Sequence, residues 1–252
     1  MKQMLLAAAL VAGPVIAQAA GGYDPSLDPK RYDGCVRAIA ADAAKAEQFA
    51  IEWQGLGGGL PARHCQALAQ IQQKKFTAAA STLVKAAEAA DADSSPFAVD
   101  FWGQAGNAAL LAGDSRGAIA HFTKALAGSG EAASSRTANL LIDRARAETE
   151  AGDAAAARLD LDRAVAMDRD NPAGWMLSAA LARRQGDMGR ASREISRAST
   201  LAPSDPDILL EQGNVAAANG DAEAARKVWE MVVKADPASP AAELATKALA
   251  AR

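Results

Sequence analysis

The chain is poor in the side chains that most catalytic and recognition chemistry draws on. Only 4 % of its 252 residues are aromatic. Half are apolar, but Ala carries most of that share, and Ala combines the best helix propensity with a small side chain. Such a composition points to thin, closely packed helices and away from a thick β-core. Histidine is confined to His64 and His121. There is no H-E-x-x-H, no G-x-S-x-G and no phosphate-cradling glycine loop. Gly57-Gly58-Gly59 lacks the Lys-Ser/Thr continuation and reads as a turn before Pro61. Asp160 and Asp162 lie among Arg158 and Arg163 in an exposed helical pattern, where solvated ion pairs account for them. No catalytic residue, metal ligand set or cofactor is therefore nominated, and a non-enzymatic role is expected. A net charge of -3, a pI near 5.5 and the lack of a long basic run leave no electrostatic footprint for nucleic acid.

Long apolar runs are also missing, except at the N-terminus. There Lys2 is followed by an apolar stretch from Met4 to Ala17, and Ala17-Gln18-Ala19 fits the small-x-small pattern of a signal-peptidase site. Cleavage after Ala19 is expected, with an uncleaved anchor as the alternative. No Cys follows directly, so lipid attachment of the bacterial lipoprotein kind is not expected. The mature chain, with no stretch long enough for a membrane helix, is expected in the periplasm. Cysteine is scarce too: Cys35 and Cys65 are the whole complement. Export makes a disulfide permissible.

What the sequence does have is internal periodicity. Gly-Asp recurs at Gly113-Asp114, Gly152-Asp153, Gly186-Asp187 and Gly220-Asp221, with steps of 39, 34 and 34 residues. Pro172, Pro206 and Pro240 repeat the 34-residue step, each preceded by a capping residue: Asn171, Asp205 and Ser239. A cap followed by Pro is a helix start, and Gly-Asp marks a break where one helix ends and the next is capped. Between these marks apolar and small residues recur at three- and four-residue steps, as in Trp102, Ala105, Gly106, Ala109 and Leu110. That is helical periodicity.

The pattern resembles the tetratricopeptide repeat (TPR) family. Trp102, Gly106, Gly113, Ala118, Phe122 and Ala125 match it best. Leu141, Ala145, Gly152, Ala157, Leu161 and Ala164 follow in phase. So do Trp175, Ala179, Gly186, Ala191, Ile195 and Ala198, and then Leu209, Gly213, Gly220, Ala225 and Trp229. The resemblance implies an all-α, right-handed solenoid of antiparallel helix pairs. Residues 20–95 read as degenerate N-terminal pairs, 96–238 as four repeats and 239–252 as a capping helix. Surface loops are expected at Ala90–Ser95 and Ala127–Ser135.

The cysteines admit two arrangements. If Arg31–Trp53 and Pro61–Gln73 formed one simple hairpin, Cys35 and Cys65 would sit at opposite ends, too far apart to bond. If the chain breaks near Ala41 into a repeat-like pair, both lie on first helices of adjacent repeats and can meet. The second arrangement is favoured, and a Cys35–Cys65 disulfide is predicted. A redox or metal role with His64 is the alternative; there is no C-x-x-C, and the zinc set is incomplete.

In the family, first helices of successive repeats line a concave face that receives peptides. Carried over by spacing, the inward candidates are Asn107, Leu110, Asn139, Ile142, Arg146, Met176, Arg183 and Asn214. One subclass grips a C-terminal carboxylate. Here Asn107 fills one of those positions, but Gly103, Asp143, Ala173 and Leu177 stand at the others, so that clamp is absent. The implied function is a periplasmic scaffold or adaptor for protein segments, in envelope assembly or maturation of exported proteins. A self-assembling structural component and an accessory subunit of an enzyme complex are the alternatives.

Overall fold

The computed structural model describes residues 23–130 and 134–251. The expected leader, residues 1–19 with cleavage after Ala19, lies outside them. Among the described residues there are thirteen α-helices and no strand. They are α1 (Asp28–Ala41), α2 (Ala43–Gly55), α3 (Gly59–Gln72), α4 (Phe76–Ala92), α5 (Ala98–Leu111), α6 (Ser115–Gly128) and α7 (Ser135–Glu150). The chain continues with α8 (Ala154–Met167), α9 (Pro172–Arg184), α10 (Met188–Leu201), α11 (Pro206–Ala218), α12 (Ala222–Ala235) and α13 (Pro240–Ala250). Each odd-numbered helix from α1 to α11 pairs with the even one after it, and the pairs stack into a solenoid. The helix α13 packs on α11 and α12, where Ala241, Ala242 and Ala245 join Trp229 and Val232 in the last core cluster.

The Gly-Asp marks work as a two-part device. Gly113, Gly152, Gly186 and Gly220 sit at φ of 78°, 86°, 80° and 84°, a region a side chain strains to enter. The Asp after each glycine sends its N–H back to close the preceding helix, as in Asp114 N–H to the Ala109 carbonyl at 2.9 Å. Its side chain then accepts a backbone N–H of the next helix, as in Gly117 N–H to Asp114 Oδ1 at 2.9 Å. The turn after α3 has the same backbone without the signature. There Lys74 takes φ 59° and Lys75 N–H reaches the Gln70 carbonyl at 2.8 Å. The α3–α4 pair thus keeps the turn geometry of the later pairs without its punctuation, whereas α1 and α2 are joined through the single extended residue Asp42, whose side chain caps α2.

Inside the five pairs from α3–α4 to α11–α12, a small residue on the first helix faces a bulky one 16 residues later. Gly106 meets Phe122 so closely that a Cβ would fall 2.6 Å from the ring, and Gly213 meets Trp229 at 2.4 Å. Where the small residue is Ala, the later one is aliphatic: Ala67 with Leu83, Ala145 with Leu161, Ala179 with Ile195, each couple in one core cluster. The trade keeps the interior filled at constant volume.

Cys35 and Cys65 form a disulfide with Cα atoms 6.3 Å apart. It joins α1 to α3, which also pack directly on each other. The α1 helix ends at Ala41 and α2 begins at Ala43, so the chain breaks as the bonded arrangement requires. One expectation needs correction. Asp160 is not solvated: it is 3 % exposed and holds Arg144 of α7 through two bonds of 2.6 and 2.8 Å. Its position on the inner side of α8 turns that ion pair into part of the α7–α8 interface.

Candidate functional site

Odd-numbered helices of neighbouring pairs touch one another, so they form a continuous face. The nominated residues fall on it unequally. Asn107 and Arg146 are exposed and flank the half-buried Asp143, at 3.4 Å through Asn107 Nδ2 and 3.6 Å through Arg146 Nη1. Burial pushes the Asp143 carboxyl above the usual range, because those two long contacts compensate it poorly. Asn139 is exposed and accepts from Asn171 Nδ2 at 2.7 Å. These residues leave an open polar trough across α5 and α7.

Further along, the line closes. Leu110 is half-buried against the first core cluster and Met176 against the third. Ile142 is 6 % exposed in the second cluster and serves the core. Arg183 grips Glu211 of α11 with two bonds of 2.7 and 3.1 Å, and Asn214 donates to the same carboxylate at 3.1 Å. That fork fastens α9 to α11 and leaves little of either residue for a ligand.

A large opening on this face lies earlier in the chain. A cavity of about 630 Å³ sits across α1, α3 and α5. Pro29, Leu60, Pro61, Phe97 and Phe101 make its walls apolar, with Asp28 and Asp100 also on its lining. Tyr32, His64 and Gln104 run through it as one hydrogen-bond chain. Tyr32 Oη lies 2.8 Å from His64 Nδ1, and His64 Nε2 lies 2.8 Å from Gln104 Oε1. The chain is consistent with a neutral ring that accepts from Tyr32 and donates to Gln104. Burial lowers the His64 pKa, so the ring is uncharged at neutral pH. A second cavity of about 420 Å³ shares Asp100 and Gln104 and extends to Asn107, Asn139 and Asp143. Pocket and trough therefore adjoin along Asp100 and Gln104.

His64 had a signal in the sequence. It lies three residues before Ala67, as Ile142 does before Ala145 and Met176 before Ala179. Applying that register to α3 gives His64 the position that was nominated at Ile142 of α7 and Met176 of α9. His121, by contrast, stacks on Trp102 with ring centroids 5.7 Å apart and is an interhelix packing residue. Among the described residues no group of three or more His, Cys, Asp or Glu is placed to hold a metal ion. No described helix is long and apolar enough to cross a membrane.

A family profile described as tetratricopeptide repeat matches residues 66–135, 142–206 and 181–240. Comparison with curated proteins finds no match. Solved structures share the fold at low identity. PilW, titled a widely conserved type IV pilus biogenesis factor, is 16 % identical, with a TM-score of 0.69 over 88 % of this chain and 99 % of that one. Pseudomonas aeruginosa pilF is 12 % identical, with a TM-score of 0.62 over 88 % and 99 %. YrrB, titled a TPR protein with an unusual peptide-binding site, is 18 % identical, with a TM-score of 0.51 over 74 % and 91 %.

Proposed function

Because the chain belongs to the tetratricopeptide repeat family, whose fold is a protein-interaction scaffold, we propose that it holds protein segments on the odd-helix face of its N-terminal half. The observation that carries this reading is the adjoining pair of openings from Tyr32 to Asp143. Along it Asn107, Asn139 and Arg146 stay exposed, and Asn107 and Arg146 make only long contacts to Asp143, unlike Arg183 and Asn214 farther along, which are held on Glu211. Amides such as Asn107 and Gln104 can pair with an extended backbone, and the apolar pocket can seat a side chain.

The site of action in this reading is the periplasm. Support comes from the leader-like segment ending at Ala19 and from a disulfide, which an oxidising compartment sustains. A role in envelope assembly or maturation of exported proteins follows from that location. The shared fold with PilW agrees with it but carries fold alone.

Two measurements test the reading. Fractionation with N-terminal sequencing is expected to find a periplasmic chain that begins at Ala20; an unprocessed cytosolic chain would refute export. Affinity capture from a periplasmic extract is expected to lose its partner when Asn107→Ala and Arg146→Ala are combined. The Arg163→Ala change, on the exposed side of α8, is expected to keep it. A partner retained by the double variant refutes the assigned face.

A further inference from the structure

The pocket across α1, α3 and α5 is built for a particular kind of side chain. Its central polar groups largely satisfy one another, since Tyr32 Oη, both ring nitrogens of His64 and Gln104 Oε1 form a chain of 2.8 Å bonds that leaves the Gln104 amide N–H groups for a guest's backbone. An occupant therefore meets apolar walls and a floor with little hydrogen-bonding demand. At the lip, Phe97 leaves 58 % of its surface in solvent, which is unusual for so large a ring beside a cavity. A volume of about 630 Å³ is ample for a large side chain with adjoining backbone.

Carboxylates outnumber cations in the lining of the opening. The linings of the two cavities carry Asp28, Asp100 and Asp143 against Arg136, while Arg31 stands on Asp28 and Arg146 stands 3.6 Å from Asp143 just outside them. Asp28 is already occupied by Tyr23, Arg31 and Trp53. Asp100 has one oxygen on Arg136, in a pair whose members are both about half exposed, and such pairs exchange readily. Asp143 has only its two long contacts. The open carboxylates thus lie on the α5–α7 side of the pocket, where the trough continues.

We propose that this pocket anchors an aromatic or long aliphatic side chain of an extended peptide segment, whose neighbouring Lys or Arg is received by Asp100 and Asp143. The proposal rests on the scaffold reading and names its ligand class. A peptide is favoured over a free small molecule because pocket and trough adjoin along Asp100 and Gln104, so that one extended chain can reach both.

The test uses fluorescein-labelled, end-capped peptides and the intact protein, read by anisotropy. Lys-Ala-Trp-Ala-Lys is expected to bind at least tenfold more tightly than Glu-Ala-Trp-Ala-Glu or Lys-Ala-Ser-Ala-Lys. Phe97→Ser and Asp100→Asn, both at exposed positions, are each expected to weaken it about three- to tenfold, with the thermal melt unchanged. Leu60→Trp, which fills the pocket, is expected to abolish the tryptophan preference. Equal binding of all three peptides overturns the proposal. So does a Leu60→Trp protein that melts normally and still prefers the tryptophan peptide. N-acetyltryptophanamide competing as well as the peptide overturns the choice of a chain over a small molecule. If peptide selectivity is absent while the Asn107 and Arg146 variant still loses its captured partner, the pocket chemistry fails and the scaffold reading stands. If both are absent, both fail.

Discussion

Replacing Glu148 by Gln is expected to stabilise the protein in alkaline but not in acidic solution. Glu148 is 6 % exposed on α7, inside the α7–α8 interface. Arg144 stands beside it at 3.6 Å, but that guanidinium is already committed to Asp160 through two short bonds. One Glu148 oxygen has no hydrogen-bond partner. Two buried carboxylates therefore share one arginine. Burial and the charges of Asp160 and Asp153, opposed by Arg144, push the Glu148 pKa up from 4.5 to about 7. The folded-state pKa is raised, so the native state binds the proton more tightly than the unfolded chain does. The associated stability is complete below about pH 4.5 and is lost as pH rises through about 7. At 1.36 kcal/mol per pKa unit the loss is about 3 kcal/mol. Gln keeps the shape of the protonated acid and never ionises. Glu148→Gln is thus expected to raise stability by about 2–3 kcal/mol at pH 8 and to leave it nearly unchanged at pH 4.5. Urea melts of both proteins across that range check this. The difference between variant and wild type removes the titrating groups that do not interact with Glu148, His64 and His121 among them. A difference that does not grow with pH refutes the reasoning.

Three other changes probe separate parts of the fold. Replacing Cys35 and Cys65 by Ser frees a loop spanning 30 positions and should cost about 3–4 kcal/mol in the loop-entropy picture. The loss should be confined to the first two helix pairs and be visible by hydrogen exchange as early opening of α1 and α3. Gly106→Ala should cost about 1–2 kcal/mol, because a Cβ 2.6 Å from the Phe122 ring outweighs the gain in helix propensity. Adding Phe122→Leu recreates the Ala145–Leu161 couple and should recover most of that loss in a thermal melt. Arg183→Ala strands the 7 % exposed Glu211 carboxylate and should destabilise the C-terminal pairs by about 2 kcal/mol. Peptide binding in the pocket, at the other end of the solenoid, should not change.

The solenoid was legible because its marks are local. A glycine at positive φ and an aspartate cap each act within one turn of the chain, so their 34-residue recurrence is visible without any long-range contact. The N-terminal pairs were harder to read because Lys74 stands where the later repeats have glycine, and α4 opens without a side-chain cap. Packing there is conserved nonetheless: Ala67 and Leu83 keep the 16-residue couple. Once that couple is recognised, a repeat can be found from its interior after its turn signals have gone. Cysteine spacing carried the same information, since a bond between Cys35 and Cys65 requires two first helices side by side.

The site was less legible, because availability is a property of pairs. Arg146 and Arg183 look alike in the sequence, both on first helices and both expected on the same face. Arg146 reaches only Asp143 at 3.6 Å and stays exposed, whereas Arg183 is locked to Glu211 of the next pair. The difference is set by what the neighbouring first helix presents 28 residues on: Glu211 lies within reach of Arg183, while Gly174 stands at that distance from Arg146. A polar residue on a solenoid face is therefore spent or free according to the helix beside it. The N-terminal pairs obey the same rule with a different result. Tyr32, His64 and Gln104 come from three successive first helices and satisfy one another, and doing so leaves the apolar walls around them uncovered. Because those polar groups largely satisfy one another, the pocket suits the apolar guest proposed for it.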